Sequence, residues 1–149
     1  MRKELAEKFG LNVVSKKLTR EVFEDGFKKA KKELKERKWS DHVQCPELSC
    51  HTFSIEIDFY SNSPWFCVIG EITMIDLGKQ DNMLQKLYQL ERACVFAQYC
   101  EPCENLLAVL VCPQEIGVAV EIAISTKPNL TTLHSLFKEK AFRTIRVSL

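Results

Sequence analysis

Two carboxylates stand out in this sequence by their spacing. Asp58 and Glu71 lie 13 residues apart, on either side of the turn-forming run Ser61-Asn62-Ser63-Pro64. The midpoint between them falls at Pro64–Trp65. A hairpin centred there sets the two side chains opposite each other on one face, with Cβ atoms about 4.5–5.5 Å apart. Facing carboxylates repel each other unless a cation lies between them. Mg²⁺ or Mn²⁺ suits such a pair, because a hard ion takes oxygen ligands and keeps several waters. When bound, it lowers the pKa of a water and stabilises charge on a phosphate. The competing reading is plain solvation, the common state of carboxylates on the polar face of a strand.

The flanking pattern supplies the strands. Phe53, Ile55, Ile57 and Phe59 alternate with Ser54, Glu56, Asp58 and Tyr60, which predicts a half-buried strand over 53–60. Glu56 shares the face of Asp58 and is a candidate additional ligand. A second strand is expected over 65–73. There Phe66, Val68, Gly70 and Ile72 share one face, and Trp65, Cys67, Ile69, Glu71 and Thr73 share the other.

Other elements must hold this hairpin. Residues 17–37 read as an amphipathic helix with Phe23, Phe27, Ala30 and Leu34 on one stripe, capped by Thr19 or Ser15. Gly26 is a flaw in that helix, costing about 1 kcal/mol against Ala. Residues 1–14 read as a short helix or arm and 40–50 as irregular. A strong helix is expected over 81–99, burying Met83, Leu87, Leu90, Cys94 and Ala97 and ending before Pro102. Residues 106–112, LLAVLVC, are apolar throughout, as in a strand covered on both faces. The β-branched alternation of Val118, Val120, Ile122 and Ile124 favours strand over buried helix. A helix over 129–140 and a strand over 144–148 complete the chain. A helix feeding an apolar strand implies a crossover onto a mixed sheet.

At this point the chain resembles a known family. Ile55-Glu56-Ile57-Asp58, a short turn, and Val68-Ile69-Gly70-Glu71-Ile72-Thr73 are similar to the PD-(D/E)XK nuclease signature. The helix around Gln85-Lys86-Leu87-Tyr88-Gln89-Leu90 is similar to the helix of that core. The resemblance covers roughly residues 17–112. It implies an α/β fold: a central mixed β-sheet flanked by helices, with a restriction-endonuclease-like αβββαβ core. It also implies a metal-dependent nuclease acting on DNA or RNA, with Asp58 and Glu71 as metal ligands. The family places an acidic residue on the first helix, for which Glu24 is the best match. The departure is Thr73, which stands where the family has Lys. A Lys there would supply positive charge to the developing anion, and Thr supplies none. Lys86, bordering the sheet-facing side of its helix, is the expected substitute. The alternative is a catalytically inactive nuclease-like module for nucleic-acid binding or protein assembly. Such domains often act on two strands, so a homodimer is among the assemblies open to this chain.

Composition narrows the setting. The chain has 149 residues, 46% hydrophobic and 28% charged, which fits one globular domain over 1–149. No apolar run reaches the length of a membrane span, so no membrane partner is expected. The start MRKELAEKFG has no apolar signal core, and the odd count of seven cysteines argues for a reducing compartment. An intracellular location, cytoplasm or nucleus, follows. Cys67, Cys94 and Cys112 lie in apolar segments and read as small buried hydrophobes.

The net charge of +1 conceals an asymmetry: residues 1–38 hold 13 Lys/Arg against 7 Asp/Glu, and residues 39–149 hold 8 against 13. The excess peaks at Lys28, Lys29, Lys31, Lys32, Lys35, Arg37 and Lys38. That basic helix, 28–38, is the expected contact for a nucleic-acid backbone, against the plain reading of a solvated face. Cys100-Glu101-Pro102-Cys103 has the spacing of a zinc half-site, with Cys45, Cys50 and His51 as distant completions. The expected topology separates those two groups. The histidines are scattered, and no Gly-rich phosphate loop is present. Tyr60, Trp65 and Tyr88 are candidates for stacking on a base or for simple packing.

Overall fold

A computed structural model of the chain describes residues 16–37, 54–63, 66–72, 80–127 and 129–147. Residues 1–14 and 40–50 lie outside these, and the first described element is a strand where the sequence reads as a helix from residue 17. Lys16–Thr19 forms β1, whose one buried side chain is Leu18. The helix α1 begins later, at Glu24–Glu36, where the Phe27, Ala30 and Leu34 stripe enters the core. Phe23 occupies the N-cap with no side-chain cap, so Thr19 does not perform that role; Ser15 lies outside the described residues. Glu24 and Asp25 in the first turn supply the negative charge that the helix start favours.

The expected strand over 53–60 is divided. Ser54–Ile57 forms β2 and pairs antiparallel with β1, Leu18 facing Ile55. Asp58 is a bend, and Phe59–Ser63 forms β3 in a different sheet. The bend shifts the alternation by one residue. Ile55 and Ile57 are buried before it, and Tyr60 is buried after it, contrary to its expected place on the polar face. Ser61, Asn62 and Ser63, which read as turn, pair with Val68, Cys67 and Phe66 of β4 (Phe66–Ile72). Pairing with a neighbouring strand overrides their weak strand preference.

The larger sheet has the order β3-β4-β5-β6, with β5 at Leu106–Pro113 and β6 at Phe142–Val147. β3 and β4 are antiparallel; β4, β5 and β6 run parallel. The β4–β5 crossover is α2, Gln80–Cys100. The β5–β6 crossover holds a 3₁₀ turn (Gln114–Ile116), α3 (Gly117–Thr126) and α4 (Thr131–Lys138). Cys67 and Ile69 of β4, Ala108, Leu110 and Cys112 of β5, and Phe142 of β6 join one core with the helices.

Helix α2 is the central element. Every residue from Leu90 to Ala97 is buried, so it has no solvated face there. Its stripe packs on β4 and β5, α4 lies beside it, and α1 crosses its other side. Phe27 and Phe96 meet edge to face at 4.8 Å across the α1–α2 contact.

Residues 118–125 form helix, not strand. Val120, Ala123 and Ile124 are buried while Val118 and Ile122 are each 57% exposed. A strand would place all four β-branched residues on one face. The buried set instead follows helical spacing. The result is a mixed α/β fold.

Candidate functional site

The β3–β4 register pairs Phe59 with Gly70 and Tyr60 with Ile69. Continued by one step, that register would set Asp58 against Glu71, but Asp58 lies at the bend, outside the ladder. Tyr60 and Ile69 are buried on the face covered by helices. Two residues beyond Ile69, Glu71 shares that face and is only 4% exposed. Asp58 is half-buried. Both carboxylates are engaged with their surroundings. Helix α2 passes near Glu71. Burial pushes the Cys94 thiol of that helix well above its usual range, and the carboxylates of Glu91 and Glu71 add to the shift.

The other expected members of the site go elsewhere. Glu56 is exposed on β2, in the smaller sheet and across from Lys17. Glu24 is exposed at the start of α1 and pairs with Lys28 Nζ at 3.5 Å. Lys86 donates to Gln89 Oε1 of its own helix at 3.3 Å. Thr73 lies outside the described residues. Among the described residues, no three His, Cys, Asp or Glu side chains form a group able to hold a metal. Two carboxylates, Asp58 and Glu71, stand at the end of the β3–β4 ladder. That hard-oxygen set suits a divalent ion that keeps its remaining ligands as water.

The basic helix divides into an outer and an inner part. Lys28, Lys29, Lys32 and Lys35 are exposed on the side of α1 away from its buried stripe. Arg37 turns inward. Its Nη1 donates to Glu91 Oε2 at 2.9 Å, and its Nη2 to Glu33 Oε2 at 3.0 Å and Thr132 Oγ1 at 3.3 Å. Glu91 also accepts the backbone N–H of Thr132 and of Leu133, at 3.1 and 2.8 Å. A fully buried carboxylate thus caps α4 and anchors the end of α1. Burial raises the Glu91 pKa, and these donors oppose the rise. The sequence signal for it is a Glu, beside Arg92, inside a largely apolar helix belt. Lys38 lies outside the described residues.

A second polar cluster sits where α2 ends. The Tyr60 hydroxyl donates to Glu101 Oε2, and Lys16 Nζ lies 3.0 Å from Glu101 Oε1. Lys16 also stands 5.6 Å from the centre of the Tyr60 ring. Burial raises the Tyr60 pKa, and the bond to Glu101 adds to the effect. Burial pushes the Cys67 thiol up to about 12, against a hydrogen bond with Tyr60 that lowers it.

The thiols expected as a zinc half-site face different neighbours. Cys100 Sγ lies against α1, 2.9 Å from where a Cβ on Gly26 would stand. Cys103 lies near Cys67 and adds to the rise in its pKa. Cys45, Cys50 and His51 lie outside the described residues, as do His42 and Trp65. His134 Nδ1 contacts the carbonyl of Ile124 at 3.1 Å, tying α4 to α3. Tyr60 and Tyr88 are buried, which removes both from an exposed stacking platform. No described helix is long and apolar enough to cross a membrane. No family model, no curated protein and no solved structure matches this chain.

Proposed function

We propose that this domain is a nucleic-acid phosphodiesterase of the restriction-endonuclease-like class, built on the β3–β4 hairpin. The observation that supports the reading is the β3–β4 register, which ends at Phe59 and Gly70, one residue short of both Asp58 and the buried Glu71. In this reading the two carboxylates hold Mg²⁺ or Mn²⁺, which would activate a water and stabilise charge on the scissile phosphate. The exposed lysines of α1 grip the sugar-phosphate backbone. Lys86, on the helix that passes over the sheet, stands in for the lysine missing at Thr73. Its reach to the phosphate requires release from Gln89.

The test is calorimetric titration of Mg²⁺ and Mn²⁺, run beside cleavage of labelled single- and double-stranded DNA and RNA. Wild-type protein and an Asp58→Ala, Glu71→Ala variant are compared, with a thermal melt to confirm folding. Binding heat and cleavage are expected in the wild type and absent in the folded variant. Cleavage that survives Asp58→Ala overturns the assignment.

A second reading has its own observation. Glu71 is 4% exposed, and a carboxylate so enclosed is poorly placed to meet substrate. Together with Thr73, this favours a catalytically inactive relative that binds nucleic acid or assembles with protein. Metal binding without cleavage, with cleavage appearing in Thr73→Lys, would mark the loss of chemistry at that residue.

A further inference from the structure

Cys67 and Cys103 are free thiols in different settings. Cys67 lies on β4 with no exposed surface. Cys103 is half-buried in the segment before β5, and it lines a cavity of about 850 Å³ with Glu104, Asn105, Leu136, Lys140 and Arg143. The two chain segments are held side by side. The Cys67 N–H donates to the Asn105 carbonyl at 2.8 Å, and Cys67 is the register partner of Leu106. The two side chains are near enough that Cys103 adds to the rise in the Cys67 pKa. One thiol therefore belongs to a half-buried residue on a cavity wall, and the thiol beside it belongs to a residue with no exposed surface.

We propose that Cys103 and Cys67 form an oxidisable pair, in which a small peroxide entering the cavity oxidises Cys103 and the product condenses with Cys67 to a disulfide. In the first step the Cys103 thiolate attacks a peroxide oxygen and the O–O bond breaks. Sulfur becomes a sulfenic acid, and the other oxygen leaves as water, or as an alcohol from an organic peroxide. In the second step the Cys67 sulfur attacks the Cys103 sulfur and the S–O bond breaks. Hydroxide departs with the Cys67 proton as water.

The order of the steps follows from access and acidity. Cys67 is enclosed, and burial holds its thiol at about 12, so it does not start the reaction. Its closure onto Cys103 is the slower step. Two buried sulfurs packed together would be inert. The cavity on the Cys103 side separates this pair from that case. Cys94 is fully buried and Cys100 is packed on α1, and neither lines that cavity.

The test treats the reduced full chain with hydrogen peroxide, blocks remaining thiols in denaturant and maps the peptides by mass spectrometry. The expected result is a Cys67–Cys103 cross-linked peptide, the loss of two alkylatable thiols, and recovery of both with dithiothreitol. In Cys67→Ala, Cys103 is expected to stop at the sulfenic acid and be captured by dimedone. In Cys103→Ser, which alters a half-buried residue and spares the core, Cys67 is expected to stay reduced. A cross-link through Cys94 or Cys100 overturns the proposal. So does wild-type Cys103 carried on to sulfinic acid while Cys67 remains alkylatable.

Discussion

Glu101 is held by two donors, the Tyr60 hydroxyl and the Lys16 ammonium. Partial burial pushes its carboxyl upward, but these bonds outweigh burial and hold it below its ordinary value of 4.5. A carboxyl depressed on folding makes the native state bind fewer protons than the unfolded chain. Its contribution to stability is present above about pH 4.5 and is lost as pH falls through the lower native value. Acid titration of stability, followed by denaturant melts between pH 6 and 3, should therefore be flatter in Glu101→Gln than in wild type. An unchanged slope would show that the ion pair contributes nothing.

The β3–β4 register is legible at this scale because antiparallel pairing is arithmetic on sequence positions, while the bend that leaves Asp58 outside the ladder is not. Glu91, Glu101 and Arg37 are not. Each owes its role to an element distant in sequence, and Arg37 reads as surface charge unless α4 is in place beside it.

At the scale of elements, Gly26 shows how tertiary contact reverses a local rule. By helix propensity alone, Gly26→Ala gains about 1 kcal/mol. In the fold, a Cβ at position 26 would lie 2.8 Å from the Tyr99 carbonyl and 2.9 Å from Cys100 Sγ. The carbonyl is backbone and yields only if α1 moves off α2. Overpacking of this kind costs about 1–3 kcal/mol. The expected outcome is a net loss on the order of 1 kcal/mol, read as a lower denaturation midpoint with an unchanged slope. A raised midpoint would mean that the helices part without cost.

Element type is legible wherever the apolar period is long, as in α2 and β5. It fails where two periods compete. Val118 to Ile124 alternate like a strand, but the chain entering from β5 can bury only one helical stripe of them. The run from Phe53 to Tyr60 reads as one strand because nothing in its alternation marks Asp58 as the point where it changes sheet.

At the scale of the whole molecule, the question is whether the charge asymmetry is functional. Of the basic residues in 28–38, Arg37 is withdrawn into the Glu91 clamp, and Lys28 is shared with Glu24. Lys29, Lys32 and Lys35 remain exposed on one helix. If they contact phosphates, nucleic-acid affinity should fall steeply with salt, because each neutralised phosphate releases counterions. Replacing all three by Gln should reduce the slope of log K against log salt by about 3, roughly one for each phosphate no longer neutralised. Stability should change little, since exposed substitutions usually stay within about 0.5 kcal/mol each. Metal-binding heat at the hairpin should be the same in this variant and in wild type, because the lysines sit on α1, which packs on α2. Measuring affinity by fluorescence anisotropy over a range of salt therefore separates two parts of the proposed function. A reduced slope with intact metal heat assigns backbone binding to α1 and the metal to β3–β4. An unaltered slope removes α1 from the interface and leaves its lysines as a solvated face.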